Sequence, residues 1–214
     1  MADMKNIAEA ALNTLEAKNQ AREEALQKSR RLTRLSADTI RAVHRGELEE
    51  AQRLLAQGRD LAAGLRADLT PHPDLFFAGY AQDALKELAE ANLTYAFITD
   101  GRPPRPAELG VEIAAYLNGL GEAAGELRRH VLDLIREGHV ERGEAMLGVM
   151  DDIYGVLVSI DYPDALTGGL RRTTDMVRGV LEKTRGDLTI ALRQNQLERA
   201  LQQIQERQPG KTQS

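Results

Sequence analysis

The stretch FAGYAQDALKELAEANLTYAFI, from Phe77 to Ile98, decides how this chain is read. Its apolar positions Phe77, Ala81, Ala84, Leu88, Ala91, Tyr95 and Ile98 step by 4, 3, 4, 3, 4, 3. That is the spacing of a helix that buries one narrow seam against a partner. The partner follows at once: within Glu108 to Glu137, Ile113, Leu117, Leu120, Ala124, Leu127, Val131 and Leu134 repeat the pattern. Between the two lies the stiff, polar connection Asp100-Gly101-Arg102-Pro103-Pro104-Arg105-Pro106. Matching seams joined this closely predict an antiparallel helix pair.

The flanking sequence reads the same way. A first helix over about Ile7 to Val43 carries Leu12, Leu15, Leu26, Leu32, Leu35 and Ile40, with residues 1–18 as a separate or frayed turn. His44-Arg45-Gly46 closes it, basic residues in the last turn and glycine beyond. A second helix, Glu47 to about Leu69, opens on acids that suit its macrodipole and ends at Thr70-Pro71-His72-Pro73. The seam helix then begins near Asp74. Gly138 closes the fourth helix, a fifth covers about Val140 to Ile160, and a sixth covers about Leu170 to Gln205. No strand alternation, fixed-period repeat or long linker interrupts this series. The expectation is one all-α domain over residues 1–206, an elongated bundle of about six or seven long antiparallel helices, with a disordered tail at 207–214.

Composition narrows the functional classes. The 214 residues include no cysteine and no tryptophan, which excludes disulfides, thiolate metal sites and cysteine nucleophiles. No run approaches the roughly 20 apolar residues of a membrane helix, and no basic-then-apolar leader opens the chain, so a cytoplasmic protein with no membrane partner is expected. A formal net charge of -5 confines any nucleic-acid binding to a local basic patch. Phosphate-cradling loops, nucleophile elbows and His-Glu-x-x-His helices are all missing.

What remains is acidic. Glu87 and Glu90 stand one turn apart on the seam helix, each just before a seam residue; on the next helix Glu126 likewise precedes the seam residue Leu127, with Glu122 one turn back. Residues in that position border the core, so the two pairs can converge on one spot. Four carboxylates together repel unless a cation joins them, and an all-oxygen set suits Mg²⁺ or Mn²⁺. Gly119, Gly121 and Gly125 stand nearby in an otherwise strong helix, which implies close packing, a bulge or room for a ligand. The competing reading is a set of surface ion pairs with Lys86, Arg128 and Arg129, worth little energetically. Glu126 and His130 form a weaker metal-ligand pair, and His44, His72 and His139 read as helix-end residues. Arg30, Arg31, Arg34, Arg41 and Arg45 gather along the first helix, as Arg171, Arg172 and Arg178 do on the last. Such stripes hold phosphates or simply face water.

Three segments carry a resemblance. The run from Ser29 to Gly46, the run AEANLTYAFI at 89–98, and above all YLNGLGEAAGELRR at 116–129 resemble the translin family over about residues 20–200. The resemblance implies a translin-like helical fold and a homo-oligomeric shell, usually of eight subunits, that takes single-stranded RNA or DNA. One branch of that family is nuclease-active with Mg²⁺. Its Glu-x-x-Glu pair and following acid fall on Glu87, Glu90 and Glu122, with glutamate here at the aspartate position. The binding-only branch has apolar residues there. Glu126 matches an acid found in both. The function implied is a metal-dependent endoribonuclease cleaving single-stranded RNA. Glu87, Glu90, Glu122 and Glu126 would hold Mg²⁺ or Mn²⁺, and Arg30, Arg34, Arg41, Arg45, Lys86 and Arg129 would meet the strand. The alternative is a non-catalytic, translin-like single-strand binder.

Overall fold

The computed structural model describes residues 2–207, and all of their regular structure is helical. Six long helices form the body: α1 (Ala2–His44), α2 (Leu48–Leu69), α4 (Gly79–Ile98), α6 (Ile113–Arg136), α7 (Val140–Val158) and α9 (Leu170–Arg207). Three single turns stand at their junctions: α3 (Pro73–Phe76), α5 (Pro106–Leu109) and α8 (Asp164–Thr167). Among the described residues no helix is long and apolar enough to cross a membrane. The tail expected to be disordered lies outside the described residues from 208 onward.

The helix ends follow their local chemistry. Gly46 and Gly138 adopt φ of 73° and 81° just past α1 and α6, a left-handed conformation that glycine enters at little cost. The next residue then turns back, Glu47 N–H donating to Ala42 at 2.9 Å and His139 N–H to Leu134 at 2.8 Å. Residues 2–18 continue α1 without a break. Their apolar side chains Leu12 and Leu15 are exposed, because α1 overhangs the bundle there.

Both central helices begin later than the expected starts near Asp74 and Glu108. Ala78 is extended and separates α3 from α4, while Gly110 at φ 64° and the extended Glu112 separate α5 from α6. The breaks re-phase the chain. Leu75, Phe76, Leu109 and Val111 enter the core, and the expected first seam residues, Phe77 and Ile113, are left outside. The remaining seam holds: Ala81, Ala84, Leu88 and Ala91 are buried, as are Leu117, Leu120, Ala124, Leu127, Val131 and Leu134. α4 buries far more than a stripe, because it packs against α1, α2 and α6 at once. Leu85, Ala89, Leu93 and Asn92 are therefore also interior, Asn92 Oδ1 accepting from Arg59 at 2.9 Å.

One expectation is corrected. α4 and α6 run parallel, not antiparallel. Gln82 and Asp83 face Ala114 and Ala115 across one recess, Lys86 meets Glu122, and Ile98 faces His130 and Leu134 across another recess. Residue numbers thus rise together along both helices. The segment 99–112 makes this possible by running back along the whole of α4. α4 is about 30 Å long, a span that 14 residues cover when largely extended. Pro103, Pro104 and Pro106 hold this strap open, Tyr116 Oη donates to Pro104 O at 2.8 Å, and Gly110 passes under the Arg66 guanidinium. The bundle is consequently two up-down-up units, α1–α2–α4 and α6–α7–α9, joined through α4 and α6.

Candidate functional site

Close approach of the two units comes from a single residue. A Cβ at Gly119 would lie 2.6 Å from the Lys86 carbonyl oxygen and 3.0 Å from Ala89 Cβ, so only glycine lets α6 lie this near α4. Gly121 performs the same service toward Thr173 of α9, whereas nothing stands within 4 Å of a Cβ at Gly125. Of the three readings of these glycines, two positions are packing and one faces open space. α6 has no bulge.

Above Gly119, Glu87, Glu90 and Glu122 each present a carboxylate oxygen, and the three atoms lie within 4.8 Å of one another. Glu87 and Glu122 are half-buried and Glu90 is buried. Burial, reinforced by the charges of Glu122, Glu87 and Glu126, pushes the Glu90 carboxyl up to about 8. Without a cation, then, Glu90 keeps its proton at neutral pH. The Lys86 ammonium bonds both oxygens of Glu122 and lies 3.3 Å from Glu87. Burial works against that ammonium, but the Glu122 and Glu87 carboxylates outweigh it and raise its pKa. The donor set is oxygen-only, and its atoms are close enough to share one ion, so the residues fit Mg²⁺ or Mn²⁺.

Glu126 does not join the other three. It is drawn to His44, whose Nε2 lies 2.6 Å from Glu126 Oε2, and that bond holds Glu126 below the usual carboxylate range. His44 is not the solvated helix-end residue its position predicts, since its side chain is 3% exposed. Nothing in the sequence marks this partnership. His130, the expected partner of Glu126, instead buries Nε2 without a hydrogen bond, and burial lowers its pKa.

The basic residues divide. Arg30 and Arg34 are exposed on α1 and make no ion pair among the described residues. Arg41 pairs with Asp38 and Arg45 with Glu47, which partly neutralises both. Arg129 is exposed and 4.0 Å from Glu126.

No family model matches the chain. A curated protein of Methanocaldococcus jannaschii, itself uncharacterized, is 32% identical over 196 residues, covering 91% of this chain and 86% of its own. The crystal structure of Archaeoglobus C3PO superimposes with a TM-score of 0.80 at 35% identity, covering 86% of this chain and 95% of that one. The same protein's complex with duplex RNA gives 0.79 at 35% identity, with the same coverage. Apo C3PO of Neurospora gives 0.76 at 25% identity over 84% and 96%. The chain belongs to the translin family. The all-α translin-like architecture expected from the sequence is the one observed.

Proposed function

We propose that this translin-family chain is a metal-dependent endoribonuclease that cleaves single-stranded RNA inside a homo-oligomeric shell, an octamer being the expected size. The observation that carries the reading is the convergence of Glu87, Glu90 and Glu122 within 4.8 Å from two separate helices. RNA as the substrate class draws support from the Archaeoglobus relative, whose structure holds an RNA duplex.

When bound, Mg²⁺ or Mn²⁺ supplies an acidified water and neutralises charge on the phosphate. The chain's residues do the rest. Glu90, the buried member, would hold the ion from the protein side, releasing its proton to do so. Glu87 and Glu122, half open to solvent, would hold it from the side that water and the strand can reach. Arg30, Arg34 and Arg129 attract the strand, and their sequence-independent charge accords with an acidic protein holding RNA through a local patch.

The test is cleavage of a labelled single strand with Mn²⁺ by wild type, Glu87→Ala and Glu90→Gln. Loss of cutting in both variants is expected, and equal cutting by all three would remove the site. One observation favours a second reading, a binding-only shell: the Lys86 ammonium already neutralises Glu122. Strand binding that survives chelation, with no cut products, would select it.

A further inference from the structure

Lys86 lies on two sites at once. On one side it holds Glu122 and Glu87; on the other it lines, together with Glu122, a recess of about 700 Å³. The recess lies where the starts of α4, α6 and α9 meet, and its volume falls within the range of small-ligand sites. Its rim is apolar and uncovered: Phe77, Ile113 and Leu166 are 61%, 57% and 65% exposed. The Phe77 ring meets Phe76 edge-on at 5.2 Å and leaves its own surface open. The polar lining splits by sign. Lys86 and Arg172 supply positive charge, and Arg172 makes no ion pair among the described residues. Asp83, Glu112 and Asp164 supply acceptors.

A flat aromatic with amino groups on its edge, joined to a phosphate, satisfies all of these features. Its face stacks on Phe77 and its amino edge donates to a carboxylate, as cytosine and adenine can. We propose that the recess is a subsite for the nucleotide beside the scissile phosphate, and that Lys86 couples it to the cation cluster. Before the cation arrives the ammonium serves as the cluster's resident positive charge. With a cation held by the three carboxylates, Lys86 would leave Glu122 and pair with the strand's phosphate alongside Arg172, which lines the same recess. Phe77 and Arg172 thereby join the residues that contact the strand. This rests on the reading of the acidic cluster as a cation site.

Two exchanges can be measured without any cleavage. A fluorescein-labelled decamer of 2′-O-methyl RNA reports strand binding by anisotropy, and calorimetry reports Mn²⁺ binding. Phe77→Ala should weaken the decamer about fivefold or more and leave Mn²⁺ affinity and particle mass unchanged. Lys86→Met should bind Mn²⁺ severalfold tighter, because no internal cation has to be displaced. It should weaken the decamer only when Mn²⁺ is present, with the salt slope then shallower by about 0.7. Lys86→Gln repeats the measurement with a polar side chain, and a helical melting curve confirms that each variant is folded. Unchanged decamer affinity in Phe77→Ala, or a changed particle mass that would make the rim a subunit contact, overturns the subsite. Mn²⁺ affinity that is equal or weaker in both Lys86 variants overturns the exchange. A wild type that binds decamer and Mn²⁺ yet cuts nothing would remove the nuclease function and leave the subsite standing.

Discussion

His44 at the end of α1 and Glu126 in the middle of α6, 82 residues apart, meet through a 2.6 Å contact between imidazole Nε2 and carboxylate oxygen. The contact pins the first three-helix unit to the second just beyond the acidic cluster. It also removes Glu126 from the carboxylates that converge at the proposed cation site. His44→Ala would leave Glu126 half-buried without its partner, at a cost of about 1.5–3 kcal/mol. Urea unfolding of wild type and variant measures this, and a midpoint unchanged within error would show the contact to be idle.

Glu90 gives stability an unusual pH dependence. Its folded pKa of about 8 lies above the ordinary 4.5, so between those values the folded chain holds a proton that the unfolded chain has lost. Stability from this group is therefore full below pH 4.5 and falls as pH rises toward 8, by at most about 1.4 kcal/mol per unit. Melting temperatures taken across that range should decline in the absence of divalent cation. Glu90→Gln should flatten the decline, and a slope that persists in the variant would locate its source elsewhere.

The neighbouring glycines separate packing from open space. Gly119→Ala drives a methyl into the Lys86 carbonyl and should cost about 1–3 kcal/mol, while also loosening Mn²⁺ binding by spreading α4 and α6. Gly125→Ala meets no atom within 4 Å and should stabilise the helix by about 0.5–1 kcal/mol. Thermal melts of the pair check both signs.

Assembly should depend on the overhanging helices. Ile190, Leu197, Leu201 and Ile204 on α9 are all exposed and fall at steps of 7, 4 and 3, a seam that asks for a partner helix. Leu197→Glu with Leu201→Glu should reduce the particle mass to a smaller species without loss of helicity. A mass equal to that of wild type would place the subunit contacts elsewhere.

Spacing picked out four carboxylates, because i, i+3 and i, i+4 neighbours share a helix face whatever else the fold does; three of them converge, and the fourth, Glu126, is drawn away to His44. Helix direction was less legible. A proline-rich connection reads as a short turn between antiparallel rods, yet here it is a strap that retraces α4, and only its contacts with Arg66 and Tyr116 show where it goes. Phe77 lies before the break that opens α4 and Ile113 is the first residue of α6, so periodicity credited both to the core although each is exposed. The role of His44 depends on a residue far along the chain, and no local pattern encodes such a meeting.

The strap from Thr99 to Glu112 makes the acidic centre a joint possession. Glu87 and Glu90 precede it and Glu122 follows it, so neither half of the polypeptide carries all three carboxylates of the proposed cation site. Severing the backbone within that tether would yield two fragments, each inert by itself. Their reunion could be read as recovered manganese affinity, turning a single-chain protein into a two-component one.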